Sequence, residues 1–134
     1  MIMGFPGSTE RYMTSYEIDY MLETDNPQRI FIRGERQQIL RKWMDSDQAI
    51  RIQYASKYAR SSNYWKNSIG MSRGIEKLNV RDKKEAQEIA FERWALQNTL
   101  PEERYIDALP LIEKSVRRTK RHDAVYLGGI LAVG

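Results

Sequence analysis

The sequence has no cysteine among its 134 residues and a single histidine, His122. Without cysteine there are no disulfides, no thiolate metal ligands and no thiol nucleophile. A Ser-His-Asp triad would have to use His122, and no G-x-S-x-G turn is present to display a serine. We read His122 as a surface residue and expect no catalytic residue in this chain. The HExxH pattern and paired carboxylate–histidine spacings are missing too, so no metal site is expected. Gly4-Phe5-Pro6-Gly7 matches neither GxGxxG nor the P-loop pattern, which leaves no phosphate-cradling loop and no expected cofactor. Long apolar runs are also lacking: none approaches the ~20 residues that a membrane span needs. The first twelve residues lack the basic start and apolar core of a secretory leader.

What is present is a chain of 41% hydrophobic and 30% charged residues, the balance of one globular domain. The net charge is +4, and much of the excess lies in KSVRRTKR, which holds Lys114, Arg117, Arg118, Lys120 and Arg121. Such a segment is ordinarily a solvated helix face; its alternative role is to bind nucleic acid or an acidic partner.

The hydrophobic pattern has helical periodicity almost throughout. Ser15 is read as the cap of a short helix over 16–23. Asn26-Pro27 then starts a second helix running to about 45, with Ile32, Ile39, Trp43 and Met44 facing inward and Gly34 weakening its middle. Residues 45–47 close it and cap the next. Residues 80–98 form a fourth helix that buries Ala86, Ile89, Ala90, Trp94 and Leu96, with Glu85 and Glu88 as surface acids. Thr99 starts a last helix, with Tyr105, Leu109, Ile112 and Val116 as its core stripe and a kink at Pro110. The fold class is therefore all-α, five to six helices in an irregular bundle around one long central helix. A short non-helical stub precedes them. Met1–Met3 read as the end of a strand, and the final eleven residues, AVYLGGILAVG, are uncharged. Both ends are expected to pair with something outside the chain.

The central helix is residues 47–79. Tyr54, Tyr58, Ser61, Trp65, Ile69 and Ser72 fall on one stripe at helical spacing, which reads as core. Opposite them lie Ser56, Ala59, Asn63, Asn67, Gly70 and Gly74, small or neutral where a solvated face would be charged. Two helix-interior glycines, each costing about 1 kcal/mol relative to alanine, imply close approach of a neighbouring helix or a ligand. An asparagine amide oxygen on that face could accept a hydrogen bond from an ammonium group.

Three stretches, GFPGSTERYMTSYEIDYM, NPQRIFIRGERQQIL and RIQYASKYARSSNYWKNSIGMSRGIEKLNV, together resemble the bacterial serine exopeptidases of family 46, which include dipeptidyl-peptidases 7 and 11. The resemblance covers residues 2–98 well and the remainder loosely. It implies a chymotrypsin-like double β-barrel carrying the triad, with a helical domain inserted between its halves as a cap over the cleft. It also implies release of dipeptides from free peptide N-termini, and periplasmic or surface-associated homodimers. On this reading residues 1–14 are the end of a barrel strand and a linker, and 15–134 are part of the helical cap. The triad lies outside the chain. The family uses an asparagine of the helical domain to hold the substrate α-amino group. It aligns with Asn63, and Asn67 is the fallback one turn on. The partners implied are a peptide with a free N-terminus, the barrel domain and a second subunit. Nucleic acid is disfavoured. Two other readings stay open: a free-standing interaction module using the basic segment, and a structural dimerisation domain.

Overall fold

The computed structural model describes residues 12–131, with side chains to residue 123. The described residues are helical and contain no strand: α1 (Ser15–Tyr20), a π turn (Met21–Asp25), α2 (Asn26–Ser46), α3 (Gln48–Lys77), α4 (Val80–Asn98), two 3-10 turns (Pro101–Glu103 and Tyr105–Asp107) and α5 (Ala108–Leu131). The all-α class holds, with α3 the longest element. The expected strand end at residues 1–3 and the turn at 4–7 lie outside the described residues. So do the side chains of the apolar segment from 124 onward.

The helix count is lower than the five to six expected. No break occurs at Asn26-Pro27, so α1, the π turn and α2 form one continuous rod, and the described residues make four rods. A proline ring crowds the carbonyl four residues back and cannot donate to it. Here the Asn26 N–H bonds to the Met21 carbonyl five residues back, and this wider turn lets the helix pass Pro27 unbroken. Asn26 is therefore not a cap. It is the most deeply buried polar side chain, 1% exposed, and its amide donates to Ser72 Oγ at 2.9 Å, pinning α2 to α3.

Thr14, not Ser15, caps α1. Its hydroxyl accepts from the Glu17 N–H at 3.4 Å, and the Glu17 carboxylate accepts from the Thr14 N–H at 2.7 Å, closing a capping box. Ser15 is the first helical residue and is anchored on α4: its N–H donates to Glu88 Oε1 at 2.6 Å and its hydroxyl to Glu88 Oε2. Arg81 of α4 reinforces this contact, reaching Asp19 at 3.2 Å and Glu85 at 2.5 Å. Glu88 thus cross-links α1 to α4, and Glu85 holds the Arg81 that does the same, so neither is the bystander acid expected.

Asp47 caps α3, accepting from the Ala49 and Ile50 N–H groups. As the single residue between α2 and α3, it folds them into an antiparallel hairpin. Asn79, at φ 48°, turns the chain from α3 into α4; asparagine tolerates this left-handed conformation better than most residues. Pro110 falls in the first turn of α5, where its missing N–H leaves no bond unmade, so no kink is needed there. Thr99 ends α4 and does not start a helix; its hydroxyl donates to the Ala95 carbonyl at 2.7 Å.

The apolar core is small: Ile18, Ala95 and Leu109 are fully buried. Several positions expected inside are exposed, among them Ile32, Ile39 and Trp43 of α2 and Ile89, Trp94 and Leu96 of α4. Helical periodicity identified an apolar stripe in each case, but the described elements leave it largely uncovered, apart from Tyr105 packing edge-on against Trp94. The buried residues of the α2–α3 hairpin are instead polar: Asn26, Gln37, Ser61 and Ser68.

Candidate functional site

Helix α3 presents two different faces, as the spacing of its residues requires. Ser61 and Ser68 are buried and Tyr54, Tyr58, Trp65, Ile69 and Ser72 half-buried, so the aromatic stripe does face α2. The Trp65 indole N–H donates to the Ile30 carbonyl at 3.1 Å and lies beside Gly34 of α2, where an added methyl group would make ordinary contact with the indole nitrogen at 3.6 Å. The opposite face is open. Ser56, Ala59, Asn63, Asn67 and Gly70 are exposed, and a methyl group added at Gly70 or Gly74 would meet nothing within 4 Å. Close helix packing against these glycines, one of the two readings of the smooth face, does not occur among the described residues.

Where that face meets α1, the π turn and α4, a cleft of about 480 Å³ opens. Met13, Ile18, Met21, Met71, Ile75 and Val80 give it apolar walls, and Asp25, Asn26, Arg29, Asn67 and Lys84 supply polar groups. The Asp25 carboxylate is held by Arg29 Nε at 2.9 Å. Asn67 lines the cleft with its amide exposed and without a hydrogen bond to any described residue. Asn63, one turn earlier, is exposed and is not among the residues lining the cleft. The π turn is what brings Met21, Asp25 and Asn26 to one wall. Sequence reasoning missed these three because Asn26-Pro27 reads as a helix start; an asparagine before a proline gives no local sign of the π turn.

This arrangement can accept hydrogen bonds and bury a small apolar group, but it offers little acid–base chemistry. His122 is exposed, and its one polar contact among the described residues is with the neighbouring Asp123, at 3.4 Å. The strongest titration effects lie elsewhere. The Tyr20 hydroxyl donates to Asp123, which, aided by burial, pushes the phenol up to about 12, while the same bond draws the Asp123 carboxyl below its usual range. No group of three or more His, Cys, Asp or Glu residues able to hold a metal occurs among the described residues. No described helix is long and apolar enough to cross a membrane.

The basic segment on α5 is partly neutralised. Arg117 pairs with Glu113 at 2.5 Å and Lys120 with Glu23 of the π turn, while Lys114, Arg118 and Arg121 remain exposed. Lys120 therefore serves to dock α5 against the α1–α2 rod.

Comparison with known proteins places the chain. The Peptidase S46 family model matches residues 1–129. The chain belongs to the peptidase S46 family. Its curated relatives include dipeptidyl-peptidase 7 of Porphyromonas endodontalis, 54% identical over 98 residues, which cover 73% of this chain and 12% of the relative. Dipeptidyl-peptidase 7 of Porphyromonas gingivalis is 49% identical over 136 residues, 100% of this chain and 19% of the relative. The Asp/Glu-specific dipeptidyl-peptidase of the same species is 37% identical over 118 residues, 88% of this chain and 16% of the relative. The chain thus spans less than a fifth of the length of these S46 relatives and corresponds to one part of such a peptidase.

Proposed function

We propose that the chain is part of the helical cap domain of a serine exopeptidase that releases dipeptides from peptide N-termini, and that it helps to hold the substrate α-amino group. The barrel domain, whose cleft the helical domain caps and which supplies the triad, is the first partner of this reading. A second subunit, and a periplasmic or cell-surface location, belong to the same proposal. The observation that carries it is the cleft beside Asn67: an exposed lining amide with no hydrogen bond to any described residue, in a cleft whose walls include Met21, Met71 and Ile75. An ammonium group could bond to the amide oxygen while the first side chain of the peptide rests on the apolar wall. The names of the relatives support the reaction class.

Of the two asparagines, the position of Asn67 on the cleft favours it over Asn63. The test is kcat/KM of the full-length protein on dipeptide substrates with free and with acetylated N-termini. A hydrogen bond to a charged group contributes about 1.5–3 kcal/mol, so Asn67→Ala should lose about 10- to 100-fold on free-amine substrates. Asn63→Ala in the same assay decides between the two positions. Unchanged kcat/KM in both variants removes the amino-group role. The alternatives built on the basic segment gain no support, since Arg117 and Lys120 are already engaged within the chain.

A further inference from the structure

A second cavity, of about 420 Å³, lies further along the α2–α3 hairpin. It is lined by Arg33 and Arg36 of α2 and by Lys57, Arg60, Ser61 and Tyr64 of α3. Four of its six lining residues are cations and none is an acid. Among the described residues, none of the four forms an ion pair. Arg33 instead lies over the Tyr64 ring at 4.8 Å and Lys57 over Tyr54 at 4.8 Å, contacts that hold both cations in place without neutralising them. Elsewhere on the molecule arginines find carboxylates readily, as Arg29, Arg41, Arg51, Arg81, Arg104 and Arg117 all do. Four like charges left facing one cavity repel each other until an anion joins them.

An independent observation points to the same place. Ser61 is 2% exposed, and its hydroxyl is the one buried side-chain polar atom among the described residues with no hydrogen-bond partner. Buried hydroxyls are almost always satisfied, so this one needs a partner that the described residues do not supply. Ser61 lines the cavity that the cations line.

We propose that this cavity is a binding site for a phosphate-class oxyanion, either free phosphate or the phosphate of a small monoester. Guanidinium forks from two helices suit the several acceptor oxygens of such a group, and rotation of the Ser61 side chain toward the cavity lets its hydroxyl donate to one of them. The site is separate from the Asn67 cleft and shares no lining residue with it. It stands whether or not the amino-group reading holds.

The test is isothermal titration calorimetry of the full-length protein with inorganic phosphate, glycerol 3-phosphate and succinate, each at the same ionic strength. Either phosphate compound should bind with one site per chain and more tightly than succinate; the tighter of the two identifies the free ion or the ester as the source. The exposed pair Arg36→Gln with Arg60→Gln should weaken phosphate binding by about tenfold or more. Ser61→Ala removes an unsatisfied hydroxyl, so it should leave the ligand-free Tm unchanged or raised while weakening phosphate binding by about three- to tenfold. The proposal is overturned if neither phosphate compound binds, if succinate binds more tightly than both, or if Ser61→Ala binds the tighter phosphate compound as the parent does.

Discussion

Replacing Gly70 and Gly74 by alanine tests whether the smooth face of α3 is open. Both residues lie inside a 30-residue helix, and an added methyl meets nothing within 4 Å at either position. The only effects left are helix propensity and the entropy of the unfolded chain, and both favour alanine. Gly70 is two turns from the helix end and should gain close to the full value of about 0.8–1.0 kcal/mol. Gly74 lies in the last turn, where its carbonyl accepts from the Leu78 N–H, so fraying should reduce its gain to about half of that. The pair should add about 1.3 kcal/mol, which for a chain of this length raises Tm by roughly 5 °C. Thermal melting of the 134-residue chain followed by circular dichroism at 222 nm reads this directly. A lowered Tm would refute the reasoning, because it would mean that a backbone or side chain already occupies the face. The same variants bear on the site: if Tm rises while dipeptide release by the full-length protein falls, a ligand or another part of the enzyme rests against the glycines.

Two further outcomes follow from the cross-links around α1. Glu88→Ala leaves the buried Ser15 N–H and hydroxyl without acceptors and should cost about 2–4 kcal/mol in urea denaturation, with Glu88→Gln recovering part of it through its remaining oxygen. Tyr20→Phe should lower Tm, and its difference from the parent should depend on pH. The bond to Asp123 lowers the folded carboxyl pKa, a stabilisation present above the unfolded carboxylate range and lost as pH falls through the folded value. The same bond raises the phenol to about 12, a stabilisation present below pH about 10 and lost between about 10 and 12. A Tm difference that stays flat from pH 3 to 11 would show that the bond is not formed.

The sequence was most legible where local chemistry determines local structure. Asp47 reads as a cap and is one; Asn79 reads as the stop of α3 and turns the chain there; the Tyr54–Ser72 stripe faces α2 as its spacing demands. It was least legible where a signal has two physical outcomes. Asn-Pro usually starts a helix, but a wide turn upstream lets the chain continue, and nothing in the residue types of 21–25 distinguishes the cases. Apolar periodicity shows that a stripe wants cover without showing what covers it. Ile32, Ile39, Trp43, Ile89 and Leu96 belong to such stripes, and no described residue packs over them closely enough to bury them. For a chain that matches less than a fifth of each relative's length, the partner surface for those residues need not be encoded here.

The candidate sites differ in the same way. Asn63 and Asn67 could both be marked from sequence, because uncharged amides on an otherwise small face stand out by composition; the resemblance put Asn63 first and Asn67 as the fallback, whereas the cleft lies at Asn67. That cleft could not be marked from sequence, since its walls come from Met13, Ile18, Met21, Met71, Ile75 and Val80, residues up to 67 positions apart, gathered by a π turn that leaves no sequence mark. The oxyanion cavity was hidden for a further reason. Its cations are scattered through α2 and α3 at helical spacing, with no run of basic residues, while the visible basic run on α5 directs two of its five cations to acids of the same chain. A dense stretch of charge in sequence is a poor guide to unneutralised charge in space, because neighbours on one helix face readily acquire partners at i±4. Cations from two antiparallel helices that converge on an acid-free cavity have no such partner within reach.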